Sequence, residues 1–225
     1  MMDSDERKIL SILSNTNKTL FDAQKSNRHR IEAIKELMQD TRLERLEHTS
    51  IRSLDSSLTE LRDEIYYMLT FSREYMDVLA KIDSVNLYDA AEIIVEIEDV
   101  RRFKNLKHFL SYAGLAPVVK KGKYYSKVKK YQTGDVIANK KQDPIDYCES
   151  LKVVLMRCSK KLIRQDPTYK RMYHLYFRDY KYKHPTYKHK RLELMALKKV
   201  SVKFATFIYR EFLKIAKYEE EENET

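Results

Sequence analysis

The sequence predicts a mainly α protein: a long antiparallel coiled-coil helical hairpin followed by a compact helical domain with a basic loop or small β-ribbon. Three observations carry this. The first glycine is Gly114 and the first proline Pro117, so 113 residues rich in Leu, Glu, Lys and Arg run without a strong helix breaker. Ile51, Leu54, Leu58, Leu61, Ile65 and Met68 are spaced alternately three and four apart, the seam of a coiled coil. Beyond residue 83, polar capping residues stand in front of shorter apolar stripes.

The seam continues less cleanly through Ser72, Tyr75, Leu79 and Ile82, predicting one helix of about 30 residues from Ile51 to Ile82. Its expected partner is the stretch with Ile31, Ile34, Leu37, Met38 and Leu46, the chain turning at His48-Thr49-Ser50. A further helix with Ile9, Leu10, Leu13 and Leu20 precedes them. Residues 1–83 are thus read as a helical arm that folds back on itself or joins copies of the chain into a homo-oligomer.

In the domain, Asn86 is placed to cap a helix over Leu87–Ile97, with Asp89 three residues on as in a capping box. Asn105 is placed to cap Leu106–Ala113, with Gly114 as a left-handed stop and Pro117 just beyond. Residues 118–143, with Lys, Tyr and Val interspersed, give the loop or ribbon. Asp143-Pro144 should open a helix with the stripe Cys148, Leu151, Leu155, Cys158 and Leu162, in which both cysteines are core residues and not nucleophiles. Asp166-Pro167 opens another, with Tyr169, Tyr173, Tyr176 and Tyr180 on one side, and His184-Pro185 ends it. A last helix carries Leu192, Met195, Val200, Phe204, Phe207 and Phe212. The domain is placed at 84–217 and a disordered acidic tail at 218–225.

Composition excludes several classes of function. With 43% hydrophobic and 35% charged residues the chain can bury a core and is not wholly disordered. Three glycines leave no material for phosphate-binding loops, dinucleotide-binding turns or nucleophile elbows. No apolar run reaches the roughly 18–20 residues of a membrane span, and MMDSDERK has no signal-peptide pattern. Two cysteines make no disulfide framework, which fits a reducing cytoplasm.

The net charge of +10 is unevenly spread. Residues 118–217 hold 27 Lys and Arg against 8 Asp and Glu, a net +19, whereas residues 1–117 carry −4 and the last eight −5. Such division is the footprint of a polyanion-binding domain. One cluster is Lys120, Lys121, Lys123, Lys127, Lys129 and Lys130, interleaved with Tyr124, Tyr125 and Tyr131. The other is Lys170, Arg171, Lys181, Lys183, Lys188, Lys190 and Arg191, interleaved with Tyr169, Tyr173, Tyr180, Tyr182 and Tyr187. Cations neutralise phosphates and tyrosine rings stack on bases, so from these clusters Lys120, Lys121, Lys123, Tyr124, Lys127, Lys129, Lys130, Lys170, Arg171, Lys181, Tyr182, Lys183, Tyr187, Lys188, Lys190 and Arg191 are taken as nucleic-acid-binding candidates.

The stretch IDSVNLYDAAEIIVEIEDVRRFKNLKHFLSYAGLAP, Ile82 to Pro117, resembles the C-terminal transposase domain of the IS-one-ten family of insertion-sequence transposases. The features that carry the resemblance are Ala90-Ala91-Glu92, the Glu98-Asp99 to Phe103 turn, Leu110-Ser111-Tyr112-Ala113 and Gly114-Leu115-Ala116-Pro117. Asp166-Pro167 with Tyr173, Lys188–Arg191 and Lys198-Lys199 resemble the family's closing helices, and the arm its coiled coil. The resemblance implies a degenerate helix-hairpin-helix, DNA as partner, a guide RNA where the family's behaviour carries over, and a cytoplasmic, nucleoid-associated protein. The chain also departs from the family. Nothing in residues 1–50 resembles its RuvC-like domain, so no metal or cofactor is expected in this chain, and Mg²⁺ only where such a domain is supplied elsewhere. The hairpin glycines are replaced by Asp83-Ser84-Val85-Asn86. Lys120-Lys121-Gly122 stands where the family's catalytic serine is expected, leaving Ser126, or Thr133 beside Gly134, as the nearest hydroxyls. The expected function is the DNA-binding part of a transposase, truncated or diverged and not cutting DNA alone. The alternative is a non-enzymatic nucleic-acid-binding or coiled-coil assembly protein.

Overall fold

The computed structural model describes residues 4–37, 41–116 and 147–223, and every regular element among them is helical. In order these are α1 (Ser4–Leu37), α2 (Thr41–Thr70), a π-helical turn (Glu74–Val78), a 3₁₀ turn (Leu79–Lys81), α3 (Leu87–Ile97), a 3₁₀ turn (Val100–Arg102), α4 (Leu106–Tyr112), α5 (Glu149–Gln165), α6 (Pro167–Lys183) and α7 (His189–Asn223). The mainly α class is as the sequence predicts.

The turn expected at His48-Thr49-Ser50 is not formed; these residues lie inside α2, which begins at Thr41, while α1 is described to Leu37. His, Thr and Ser cost a helix only a few tenths of a kcal/mol each, too little to end one without Gly or Pro. α1 packs along α2, where the Gln24 amide donates to the Asp55 carboxylate and Arg28 lies 3.9 Å from it. Leu10 of α1 belongs to the same buried cluster as Ile65, Met68 and Leu69 of α2. The inward positions of α1 are Leu10, Leu13, Asn17, Leu20, Gln24 and Asn27, again spaced three and four apart. Two of them are polar yet only 7% exposed, Asn17 and Gln24, so a search for aliphatic residues finds only part of this seam. The side chains of Ile31, Ile34, Leu37, Met38 and Leu46 lie outside the described residues.

Nor does the α2 helix reach Ile82. It ends at Thr70, and the buried Ser72 takes over as a local cap, accepting from the Tyr75 amide at 3.2 Å and donating to Glu74 at 2.8 Å. The seam thereby changes role: Val78 and Leu79 turn into the core of the domain.

That core lies between α3, α4, α5 and α7. Ile93 and Ile97 of α3, Phe109 of α4, Leu151 and Leu155 of α5 and Phe204 and Ile208 of α7 are all essentially inaccessible to solvent. Phe109 stacks on Tyr209 (5.2 Å) and meets Phe103 edge-on (5.2 Å). Both asparagine caps form: Asn86 accepts from Asp89 N–H at 2.7 Å and Asn105 from His108 N–H at 3.0 Å. The Asp89 side chain, however, does not return to Asn86 as a capping box requires. It is bound by α5 instead, as described below.

α4 ends in a Schellman arrangement. Gly114 has φ +63°, its N–H bonds to Ser111 C=O at 3.1 Å, and Leu115 N–H reaches Leu110 C=O at 2.9 Å. A Cβ on Gly114 would stand 2.7 Å from the Tyr147 ring. Gly114→Ala therefore combines a left-handed penalty of about 1–2 kcal/mol with a steric clash. It should lower the melting temperature by about 4–8 °C in a calorimetric scan.

α5 begins at Glu149, not after Pro144; Cys148 is its cap, its sulfur accepting from Leu151 N–H at 3.3 Å, while Asp143-Pro144 lies outside the described residues. α6 has the predicted cap, Asp166 Oδ1 accepting from Thr168 N–H at 2.6 Å ahead of Pro167, and it stops at His184. The tail expected to be disordered is helical: α7 runs to Asn223, with Glu220 on Arg101 at 3.2 Å and Glu222 on Arg73 at 2.8 Å. These ion pairs give the glutamate run something to fold against, which composition alone does not show.

Candidate nucleic-acid interface

The second basic cluster forms a surface made by α6, the turn after it and α7. α6 has no fully buried residue; Tyr169, Tyr173, Tyr176, Phe177 and Tyr180 are half-buried, and α6 packs on α5 and α7. Its solvent side carries Lys170, Arg171, Arg178 and Lys181, and Tyr182 is 88% exposed. Lys188, Lys190 and Arg191 are exposed where α7 begins. Farther along α7, Lys199, Lys203, Phe207, Arg210 and Lys214 form an exposed lane at helical spacing.

Apart from Lys183, paired with Asp179 at 2.8 Å, none of the second-cluster cations has a carboxylate partner among the described residues. The turn is built on stacked rings. His184 stacks on Tyr187 at 4.7 Å and 8°, Tyr180 on His184 at 6.4 Å, and the Arg191 guanidinium lies 3.8 Å above the Tyr187 ring. Tyr187 is thus a half-buried member of an aromatic column that fixes Arg191, whereas Tyr182 stands in solvent.

Arg178, Lys203 and Arg210 are not singled out in the sequence, and Lys199 appears there only in the family resemblance, not among the nucleic-acid-binding candidates. The signal was the four-residue step, since Arg178 lies between Arg171 and Tyr182, seven and four residues away, and Lys203 four after Lys199. Lys120, Lys121, Lys123, Tyr124, Lys127, Lys129, Lys130 and Ser126 lie outside the described residues. The residues flanking that segment are joined: Cys148 N–H donates to Tyr112 C=O at 2.7 Å.

α3 and α5 are locked together beneath this surface. Asp89, 1% exposed, receives Arg157 Nε at 2.7 Å and Lys161 Nζ at 2.6 Å, while Arg157 Nη2 reaches Glu92 at 2.7 Å. Two anions and two cations balance here, the buried Asp89 surrounded by partners that remain partly exposed. At the start of α5 the Cys148 thiol donates to Glu96 at 2.9 Å. Burial and the Glu96 carboxylate push the Cys148 thiol up to about 11, and burial with Asp89 nearby pushes Cys158 to about 12. Neither is a thiolate near neutrality; Cys158 is a buried core residue as expected, whereas Cys148 is only partly buried and caps α5. Iodoacetamide at pH 8 should alkylate both at a small fraction of the rate seen for the same protein in denaturant, followed by mass spectrometry.

Farther up, burial and the Lys152 ammonium hold the Lys198 ammonium below the ordinary lysine value, so Lys198 belongs to the α5–α7 packing more than to the outer lane. Among the described residues no group of three or more His, Cys, Asp or Glu is arranged to hold a metal ion, and no helix is long and apolar enough to cross a membrane.

No curated protein matches this chain. The model of the transposase IS116/IS110/IS902 family matches residues 76–174, from the π-helical turn through α3, α4 and α5 into α6. The matched stretch contains the Asn86 and Asn105 caps, the Asp89 network, the Gly114 stop and the first cations of α6. Residues 76–174 thus match the transposase domain of the IS116/IS110/IS902 family, and the match supports a function related to transposition.

Proposed function

We propose that the chain is the DNA-binding C-terminal part of an insertion-sequence transposase, and that the α6–α7 surface receives the phosphate backbone. The observation that carries this is the row of exposed cations along α6 and α7, of which only Lys183 and Lys214 pair with a carboxylate among the described residues, adjoining a stretch that matches a transposase domain. Phosphate contacts of this kind supply affinity and register without base readout. The basic residues at 120–130 extend the same charge, and a guide RNA would present the same phosphates. The helical arm serves self-association: Ile9, Ile12 and Phe21 of α1 keep apolar surface exposed. The chain does not cut DNA by itself. Lys120-Lys121 occupies the place of the family's serine, with Ser126 the nearest alternative, and Mg²⁺ would enter only with a RuvC-like domain supplied elsewhere. The site of action is the cytoplasm, at the nucleoid.

Fluorescence anisotropy with labelled DNA at 50 mM salt tests the proposal. Wild type should bind, and the triple variant Lys181→Glu, Lys188→Glu, Lys190→Glu should bind much more weakly whatever the sequence. No binding by wild type at that salt would refute it.

A further inference from the structure

A cleft of about 540 Å³ opens where the turn at residues 81–84, the α5–α6 junction and α7 meet. This is within the roughly 300–1,000 Å³ typical of small-ligand sites. Its wall combines two kinds of group. Phe207, 41% exposed, and the half-buried Tyr169 offer aromatic surface above the buried Phe204. Gln165, Asp83 and Asp166 offer hydrogen-bonding edges. Ser84 also lines the cleft; it is 1% exposed and its hydroxyl has no hydrogen-bond partner among the described residues. A buried hydroxyl left in that condition is costly.

The surroundings select the ligand. Lys203 lies one helical turn before Phe207 on the exposed lane of α7, and Lys170 and Arg164 adjoin Tyr169 and Gln165. Exposed cations next to the lining residues suit phosphate. Of the charged lining groups, Lys81 lies 3.9 Å from Asp77, while the Asp83 and Asp166 carboxylates accept hydrogen bonds from amino groups, and the N-terminus of α6 is already capped by Asp166. A flat ring with an amino-bearing edge, attached to a phosphate chain, meets all of these conditions. We infer that this cleft takes an unpaired nucleobase from a nucleic acid whose backbone lies on the α6–α7 surface. A base within a duplex has both faces stacked and its pairing edge occupied, so only a bulged, looped or single-stranded base can enter. The inference rests on the nucleic-acid-binding reading above.

The test compares a duplex carrying a one-nucleotide 2-aminopurine bulge with its fully paired counterpart, in DNA and in RNA, at 50 mM salt. Wild type should favour the bulged form by about fivefold or more in one or both chemistries, with the 2-aminopurine fluorescence quenched on binding. In Phe207→Ala the ratio should fall close to one and the quenching should disappear; Gln165→Ala, on an exposed side chain, serves if the first variant fails to fold. Lys188→Glu with Lys190→Glu should weaken both forms and leave the ratio intact. Binding with a ratio near one in wild type, or a ratio indifferent to Phe207→Ala and Gln165→Ala, overturns the base site and leaves the phosphate surface standing. Absence of binding to either form overturns both.

Discussion

Asp89→Asn is expected to destabilise the protein by about 3 kcal/mol, lowering the melting temperature by roughly 6–12 °C. Asp89 is the dry anion between two cations: Arg157 and Lys161 both reach it, and only their outer portions touch water. Removing its charge leaves Arg157 with Glu92 alone and Lys161 with no anion among the described residues. Because Arg157 is 44% exposed and Lys161 35%, both can turn partly to solvent, which holds the loss near the low end of the 3–5 kcal/mol seen when buried pairs are broken. Asp89 also sits in the first turn of α3, where a negative charge favours the helix. Thermal unfolding followed by circular dichroism measures the effect. Adding Lys161→Met to Asp89→Asn should recover part of the loss by removing the orphaned charge. A melting temperature within about 2 °C of wild type for Asp89→Asn would mean that the network contributes no net stability.

Nucleic-acid affinity should fall by about 10³–10⁵ between 50 and 200 mM salt, the response for 6–10 phosphate contacts. The surface has the length for this. α6 spans 17 residues, about 25 Å, along which one DNA strand presents about seven phosphates. The exposed cations of α6, of the turn and of the α7 lane are enough to meet that many. Each neutralised phosphate releases condensed counterion, so the slope of log affinity against log salt should lie near −6 on duplex DNA. The triple variant Lys181→Glu, Lys188→Glu, Lys190→Glu should flatten that slope by about three. Anisotropy titrations over a salt series decide the matter. A flat response would make these cations a solvated surface and nothing more.

The helical class, the two asparagine caps, the Asp166-Pro167 start, the glycine stop and the break at His184 were legible in the sequence. Each depends on one residue and its immediate neighbours: an Asn or Asp side chain meets its own helix's first amides, and a glycine adopts a positive φ where it stands. The family resemblance was legible for the same reason, being carried by contiguous residues, and the match over 76–174 bears it out. The second basic cluster was readable as a charge run. Its shape was not, because Arg178, Lys199, Lys203 and Arg210 join it only once α6 and α7 are laid side by side.

What depends on distant partners was decided by tertiary structure alone. Asp89 looks like half of a capping box until Arg157 and Lys161, 68 and 72 residues away, claim its carboxylate. The seam of α2 promises a helix to Ile82, but Ser72 caps locally and Leu79 is drawn into the domain core. The glutamates after Tyr218 look like a frayed tail until Arg73 and Arg101 stand opposite them. Asn17 and Gln24 read as surface residues until α2 covers them. In each case the outcome falls to a charge or an apolar surface brought from elsewhere in the chain.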